Sequence, residues 1–216
     1  MRFYDNSSVI LQGPSGCGKT VFVKSILRER ELMFFTQPTK FIYIYSNYQA
    51  IYDEMSALSG INITFRNNIP TESELEELVQ GHVHTVLICD DKMIQAANSE
   101  MILSTFTRLA HHLHITCFLL MQTSNMSSGK YMSEITRNSA YILLFKAGQM
   151  GFMVRSLGLR LNDYKNLSTA YKEATGSTNF TYLCVNMHPR ASAIERYSTN
   201  ILPSDTGCIL FISSNK

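Results

Sequence analysis

The chain has 216 residues and a formal net charge of +2, with 45% hydrophobic and 17% charged residues. That composition excludes a disordered chain and suits one α/β domain with a full-sized core. So small a net charge excludes a uniformly basic nucleic-acid binder; DNA contact would have to come from a local patch, or from a ring of subunits gathering charge around a channel. No apolar run is long enough to span a bilayer and the N-terminus lacks a signal-peptide layout, which predicts an intracellular protein with no membrane segment. Five cysteines without a C-x-x-C spacing point to reduced thiols, most of them buried.

The first predicted element, a strand at Val9–Leu11, runs into Gly13, Pro14, Ser15, Gly16, Cys17, Gly18, Lys19 and Thr20, with a helix over 21–30 behind it. The stretch fits G-x-x-x-x-G-K-[ST] at every position, in the strand–loop–helix context that this motif needs. Glycines at 13, 16 and 18 let backbone N–H groups turn inward as a nest for phosphate oxygens. The following helix aims its positive end at the same point. In this reading Lys19 reaches the β- and γ-phosphates of a nucleoside triphosphate and the Thr20 hydroxyl holds Mg²⁺. Cys17 stands beside the lysine and the helix start, so its thiol is either an inert filler or a group of lowered pKa.

Strands and helices then alternate, which predicts a parallel sheet covered by helices. A strand is predicted over 40–46, a helix over 49–58, and a short strand over 63–65. Thr71 to Glu74 makes a capping-box start for a helix through Val79. The apolar strand 84–89 ends in Asp90 and Asp91. Helical periodicity covers 98–112, and a second buried strand, 115–121, ends at Gln122. A loop over 123–130, a strand over 140–145, helices near 150–160 and 163–175, and an edge strand over 180–185 complete the chain. The layout reads as one domain over 1–216, with a core to about 146 and a C-terminal extension from 147.

A carboxylate at a strand end beside a phosphate loop is placed to position the metal, and Asp90 takes that role in the Mg²⁺ shell through a water; Asp91, one residue further, is placed to polarise the attacking water. Gln122, at the end of its own strand, is placed to sense the γ-phosphate. A strand following the aspartate strand suits the architecture in which an additional strand lies between the phosphate-loop strand and the aspartate strand. His111, His112 and His114 lack zinc-site geometry, and two of them suit a helix C-terminus. Tyr43, Tyr45 and Tyr48 suit strand and core packing better than base stacking.

Together these segments resemble the FtsK–HerA-type DNA-packaging ATPases of Maverick/Polinton elements, adintoviruses and poxvirus-like viruses. The likeness is carried by the phosphate loop with Phe22 to Lys24, Tyr43 to Tyr52, Ile88 to Asp91, Phe106 to His112, Phe118 to Gln122, and Asn138 to Lys146. Tyr171 to Thr175, Tyr182 to Val185 and Thr199 to Pro203 extend it. The resemblance implies a RecA/FtsK-like additional-strand fold. It also implies a homo-oligomeric ring that hydrolyses ATP with Mg²⁺ to drive double-stranded DNA into a preformed capsid, in contact with a capsid or portal-vertex component. The setting would be a host nucleus or a cytoplasmic virus factory, with association with the virion as a further alternative. It further implies an arginine finger offered to a neighbouring subunit, with Arg137 favoured and Arg108 as the other candidate. Leu113–His114, Met121–Asn125 and Ala147–Met150 depart from the family pattern, and the last change removes an arginine and an acid. Two other readings stand beside this one. A small-molecule kinase would need an arginine-rich lid, which 123–130 does not supply, and a nucleotide-dependent switch with little turnover is left open by aspartate at position 91.

Overall fold

The computed structural model describes residues 1–122, 129–147, 161–176 and 180–212. The helix predicted near 150–160 and most of the loop predicted over 123–130 lie outside the described residues. Nine strands are described: β1 (Ser8–Gln12), β2 (Lys40–Ile44), β3 (Ile63–Arg66), β4 (Thr85–Cys89), β5 (Ile115–Met121), β6 (Tyr141–Phe145), β7 (Tyr182–Asn186), β8 (Tyr197–Thr199) and β9 (Ile209–Leu210). They form one sheet in the order β3-β2-β4-β5-β1-β6-β7-β8-β9. The pairs from β3 to β6 are parallel, and β6–β7, β7–β8 and β8–β9 are antiparallel.

β1, β4, β5 and β6 are buried along their whole length. Their sequences are continuous apolar runs because helices cover both faces of the sheet. Alternate residues feed two separate cores. Ile10, Leu87, Leu119 and Ile142 face Leu75, Phe106 and Ile135 on one side. Leu11, Ile88, Phe118 and Leu143 face Phe22, Ile26 and Phe34 on the other. The additional strand falls where the sequence placed it, with β5 hydrogen-bonded between β4 and β1. The predicted capping box is also present, Thr71 accepting from the Glu74 N–H while Glu74 accepts from the Thr71 N–H.

Two elements differ from the sequence reading. The helix predicted over 98–112 is a short helix Met93–Ala97 followed by a run from Glu100 that widens into a π-helical turn at Thr105–Leu109. Thr105 and Thr107 there donate to the carbonyls of Met101 and Leu103, at 2.9 Å each, the back-bonding pattern that bends helices. The strand predicted for the sheet edge is β7, but it lies inside the sheet. β8 and β9 pair beyond it, and β9 is the edge. Tyr171, on the helix Leu161–Ala174, clasps the end of β6. Its hydroxyl donates to the Phe145 carbonyl at 3.0 Å and accepts the Ala147 N–H at 2.9 Å.

At the amino-terminal edge, the buried His84 ties β4 to its neighbours. Its Nδ1 lies 2.7 Å from the Thr36 carbonyl and its Nε2 2.9 Å from the Thr116 hydroxyl. With the carbonyl accepting from Nδ1–H, the neutral ring accepts from Thr116. Burial holds this imidazole below the ordinary histidine value of 6.5. The unfolded chain therefore takes up the proton first as pH falls. The contribution to stability is full above pH 6.5 and is lost as pH drops below it toward the folded value. Thermal unfolding midpoints should accordingly fall between pH 7.5 and 5.5, and fall less steeply in His84→Gln; equal pH dependence in the two proteins would contradict this role.

Candidate functional site

β1 ends at Gln12, and the Gly13 N–H is held by the Met121 carbonyl at the end of β5, 3.1 Å away. Gly13 has no room for a side chain: a Cβ there would lie 2.6 Å from both Cys17 Sγ and Phe145 Cβ. Gly18 has φ +99° and caps the first helix, Lys19–Arg28, whose Phe22 N–H bonds the Gly18 carbonyl at 2.8 Å. The loop is thereby drawn tight against β5 and β6, with the helix N-terminus directed at it. Lys19 is only 8% exposed. Its ammonium donates to the carbonyls of Gly13 at 2.8 Å and Pro14 at 2.9 Å and approaches Cys17 Sγ at 3.7 Å. Burial pushes the Cys17 thiol up despite that neighbouring charge, so Cys17 is the inert filler rather than a reactive thiolate.

Asp90 follows β4 directly, one strand removed from the phosphate loop, and is 2% exposed. Its Oδ2 accepts from the Tyr43 hydroxyl at 2.6 Å and from the Thr20 hydroxyl at 3.1 Å. Its N–H is held by the Ile44 carbonyl at 2.8 Å. Burial raises the Asp90 pKa and the Asp91 charge adds to this, while the hydrogen bonds from Tyr43 and Thr20 and the Lys19 charge oppose it. A cation beside this carboxylate would relieve the desolvation. Thr20 and Asp90 together offer the hard oxygen donors that Mg²⁺ takes, its other positions being filled by water and phosphate oxygens. The residues present therefore fit the ion. Among the described residues no cluster of three or more His, Cys, Asp or Glu side chains could hold a metal by itself, and the histidines at 111, 112 and 114 form no such site.

Asp91 adopts φ +53°, its carbonyl accepting from the Ser46 hydroxyl at 2.6 Å. That turn carries its exposed carboxylate toward Gln122, whose Nε2 lies 3.4 Å from Asp91 Oδ1, a long contact. Lys19, Thr20, Asp90, Asp91 and Gln122 thus gather at the carboxyl edge of the parallel strands, where ligands of such sheets collect. Tyr43 belongs with them and was missed, since β2 reads as plain aromatic core; the adjacency of β2 and β4 that brings it to Asp90 is a property of strand order. The arginines do not join this group within the chain. Arg137 ends the helix Met132–Arg137 at the opposite edge of the sheet, bonded to the Ser133 carbonyl and hydroxyl. It lines a cavity of about 850 Å³ there with Tyr4, His111, His188 and Arg190. Arg108 makes a two-pronged pair with Glu72, at 3.0 Å to each oxygen.

No protein-family model matches the chain, and no curated protein matches it in sequence. Solved structures do match. The genome packaging NTPase B204 of Sulfolobus turreted icosahedral virus 2, in complex with AMP, aligns over 97% of this chain and 98% of its own, with a TM-score of 0.56 at 12% identity. The same protein with ATP-γ-S aligns over 84% and 93%, with a TM-score of 0.54 at 13% identity. The fold is that of the P-loop NTPases. Within that fold the described residues contain no helix long and apolar enough to cross a membrane. The P-loop placement of Asp90 also carries a test. Because its raised pKa means that the buried charge costs stability once ionised, Asp90→Asn should unfold at the same temperature or higher at pH 7.5 while losing Mg²⁺-dependent nucleotide affinity. A fall of several degrees in that variant would show instead that the charge holds the fold together.

Proposed function

We propose that the chain is one subunit of an ATP-hydrolysing motor that works as a homo-oligomeric ring and drives double-stranded DNA into a preformed capsid. The observation that carries this reading is the group of buried Lys19, half-buried Thr20 and buried Asp90 at the mouth of a tightly folded phosphate loop. Its support from outside the chain is a fold shared with a viral genome packaging NTPase solved with ATP-γ-S. Thr20 and Asp90 would hold Mg²⁺, which would supply charge neutralisation at the phosphates.

Each residue then has a chemical part. Lys19 exchanges its carbonyl partners in the loop for phosphate oxygens and stabilises the charge that builds on them. Asp90 keeps its orientation through Tyr43, which donates to the same oxygen as Thr20. Asp91 orients and accepts a proton from the attacking water, and Gln122, at contact distance from it, reports whether the terminal phosphate is in place. Arg137 stands at the far edge of its own sheet, so its reading as a finger requires a neighbouring subunit to bring that edge to the site. The same assembly would gather the scattered cations around DNA, in a host nucleus or a cytoplasmic virus factory and against a capsid or portal-vertex component.

Steady-state ATPase activity at low salt, with and without double-stranded DNA, tests this reading. DNA should stimulate turnover, and Lys19→Ala should lower it by about 10²–10³, as expected for losing one preorganised phosphate donor. A protein that stays monomeric and hydrolyses ATP without regard to DNA would overturn the motor.

A further inference from the structure

The cavity at the amino edge of the sheet, of about 850 Å³, holds more positive than negative charge. Arg137, Arg190, His111 and His188 line it, against one acid, Asp5. That acid is already engaged: Oδ1 accepts the Thr36 N–H at 2.9 Å and Oδ2 accepts the Thr36 hydroxyl. Among the described residues neither arginine has an ion-pair partner. Arg190 lies over the Tyr4 ring, 5.8 Å from its centroid, and its backbone N–H donates to His188 Nδ1 at 3.2 Å. Tyr4 stacks with both His188 and Phe35, at centroid distances of 4.2 and 4.6 Å, and its N–H is held by the Tyr141 hydroxyl at 3.2 Å. The cations crowd one another on this fixed wall. Burial lowers the His188 pKa, and the charges of Arg190 and His111 lower it further. Ser7 also belongs to the lining and is buried, with its carbonyl accepting the Cys117 N–H at 2.9 Å. Its hydroxyl has no hydrogen-bond partner among the described residues, a costly state for a polar group out of water.

We propose that this cavity binds a small phosphorylated molecule, whose phosphate is held by Arg190, Arg137 and the Ser7 hydroxyl. Guanidinium groups and a hydroxyl are the donors that phosphate oxygens accept from, several at once. His188, with Nδ1 accepting from Arg190, carries the proton of its neutral ring on Nε2 and adds a further donor to the lining. A dianion among these groups removes the repulsion between them and gives the Ser7 hydroxyl its missing partner. The volume falls in the range of small-molecule sites, roughly 300–1,000 Å³, and is far more than a phosphate fills by itself. The anion is therefore one end of a larger ligand, whose body has the Tyr4 and Phe35 part of the lining to lie against. A group must enter the cavity to reach the buried Ser7 hydroxyl, which favours a small ligand over the outer surface of a DNA duplex. The site needs neither the phosphate loop, at the other edge of the sheet, nor a neighbouring subunit.

Nuclear magnetic resonance of the histidine-labelled full-length protein tests this, with inorganic phosphate as the probe. The imidazole signals of His188 and His111, assigned through His188→Gln and His111→Gln, should shift and saturate with phosphate but not with sodium chloride of equal ionic strength. Arg190→Ala and Ser7→Ala should each raise the midpoint phosphate concentration by about tenfold or more, the worth of a hydrogen bond to a charged group. Without phosphate, Ser7→Ala should melt no lower than the unaltered protein, because the hydroxyl that it removes has no partner to lose. Lys19→Ala should respond to phosphate as the unaltered protein does, which separates this cavity from the phosphate loop. Equal shifts with chloride, unchanged midpoints in both Arg190→Ala and Ser7→Ala, or loss of the response in Lys19→Ala would each overturn the site. So would signals that move with a short DNA duplex at low salt and not with phosphate.

Discussion

A carboxylate almost wholly withdrawn from water is an expensive thing for a fold to hold, and Asp90 is such a group. Its environment is built to bear that cost in part and to leave a remainder. Two hydroxyls, from Tyr43 and Thr20, converge on one oxygen, and the Lys19 ammonium contributes favourable charge. The remaining penalty shows as a raised pKa, and a cation bound alongside would remove it. The surrounding architecture follows from bringing those partners together. β2 must lie against β4 for Tyr43 to reach the aspartate, β5 must separate β4 from β1, and the loop must close tightly enough to set Thr20 beside it. The Gly13 contact with Cys17 and Phe145 is that closure seen from the other side of the loop.

The sheet divides the molecule into two working edges. At the carboxyl edge, the parallel strands β1, β4 and β5 deliver the loop, the acidic pair and Gln122 to one place. The opposite edge carries Arg137, Arg190, His111 and His188 around a cavity. Among the described residues the ion pairs do not include Arg137 or Arg190. The two edges cannot act on one another within a single chain, because the sheet stands between them. A ring, with the edge of one subunit facing the next, is the arrangement that would couple them, and it gives oligomerisation a chemical purpose in the proposed motor.

How much of this could be read from the sequence depended on whether the information was local. The phosphate loop is local: glycine spacing, the lysine and the hydroxyl lie within eight residues, and each is placed by its own turn and helix start. The buried strands were equally plain, because apolar runs such as Ile115–Met121 have few other uses in a chain of this composition. The capping box at Thr71 and Glu74 was legible for the same reason. Tyr43 was not, because its function depends on which strand lies next to β2. The interior position of β7 depended on β8 and β9, two short strands of three and two residues, too brief to leave a periodic trace. The π-helical turn at Thr105–Leu109 left the 98–112 run looking like an ordinary amphipathic helix.

The central claim is that the loop and Asp90 together form a metal-dependent nucleoside triphosphate site. Calorimetric titration of the full-length protein with ATP, once with Mg²⁺ and once with a chelator, tests it most directly. One ATP per chain should bind saturably, and the binding should weaken by at least about tenfold when the ion is removed, the ion being what offsets the buried Asp90 charge. Binding of equal strength in both titrations, or no binding in either, would contradict it.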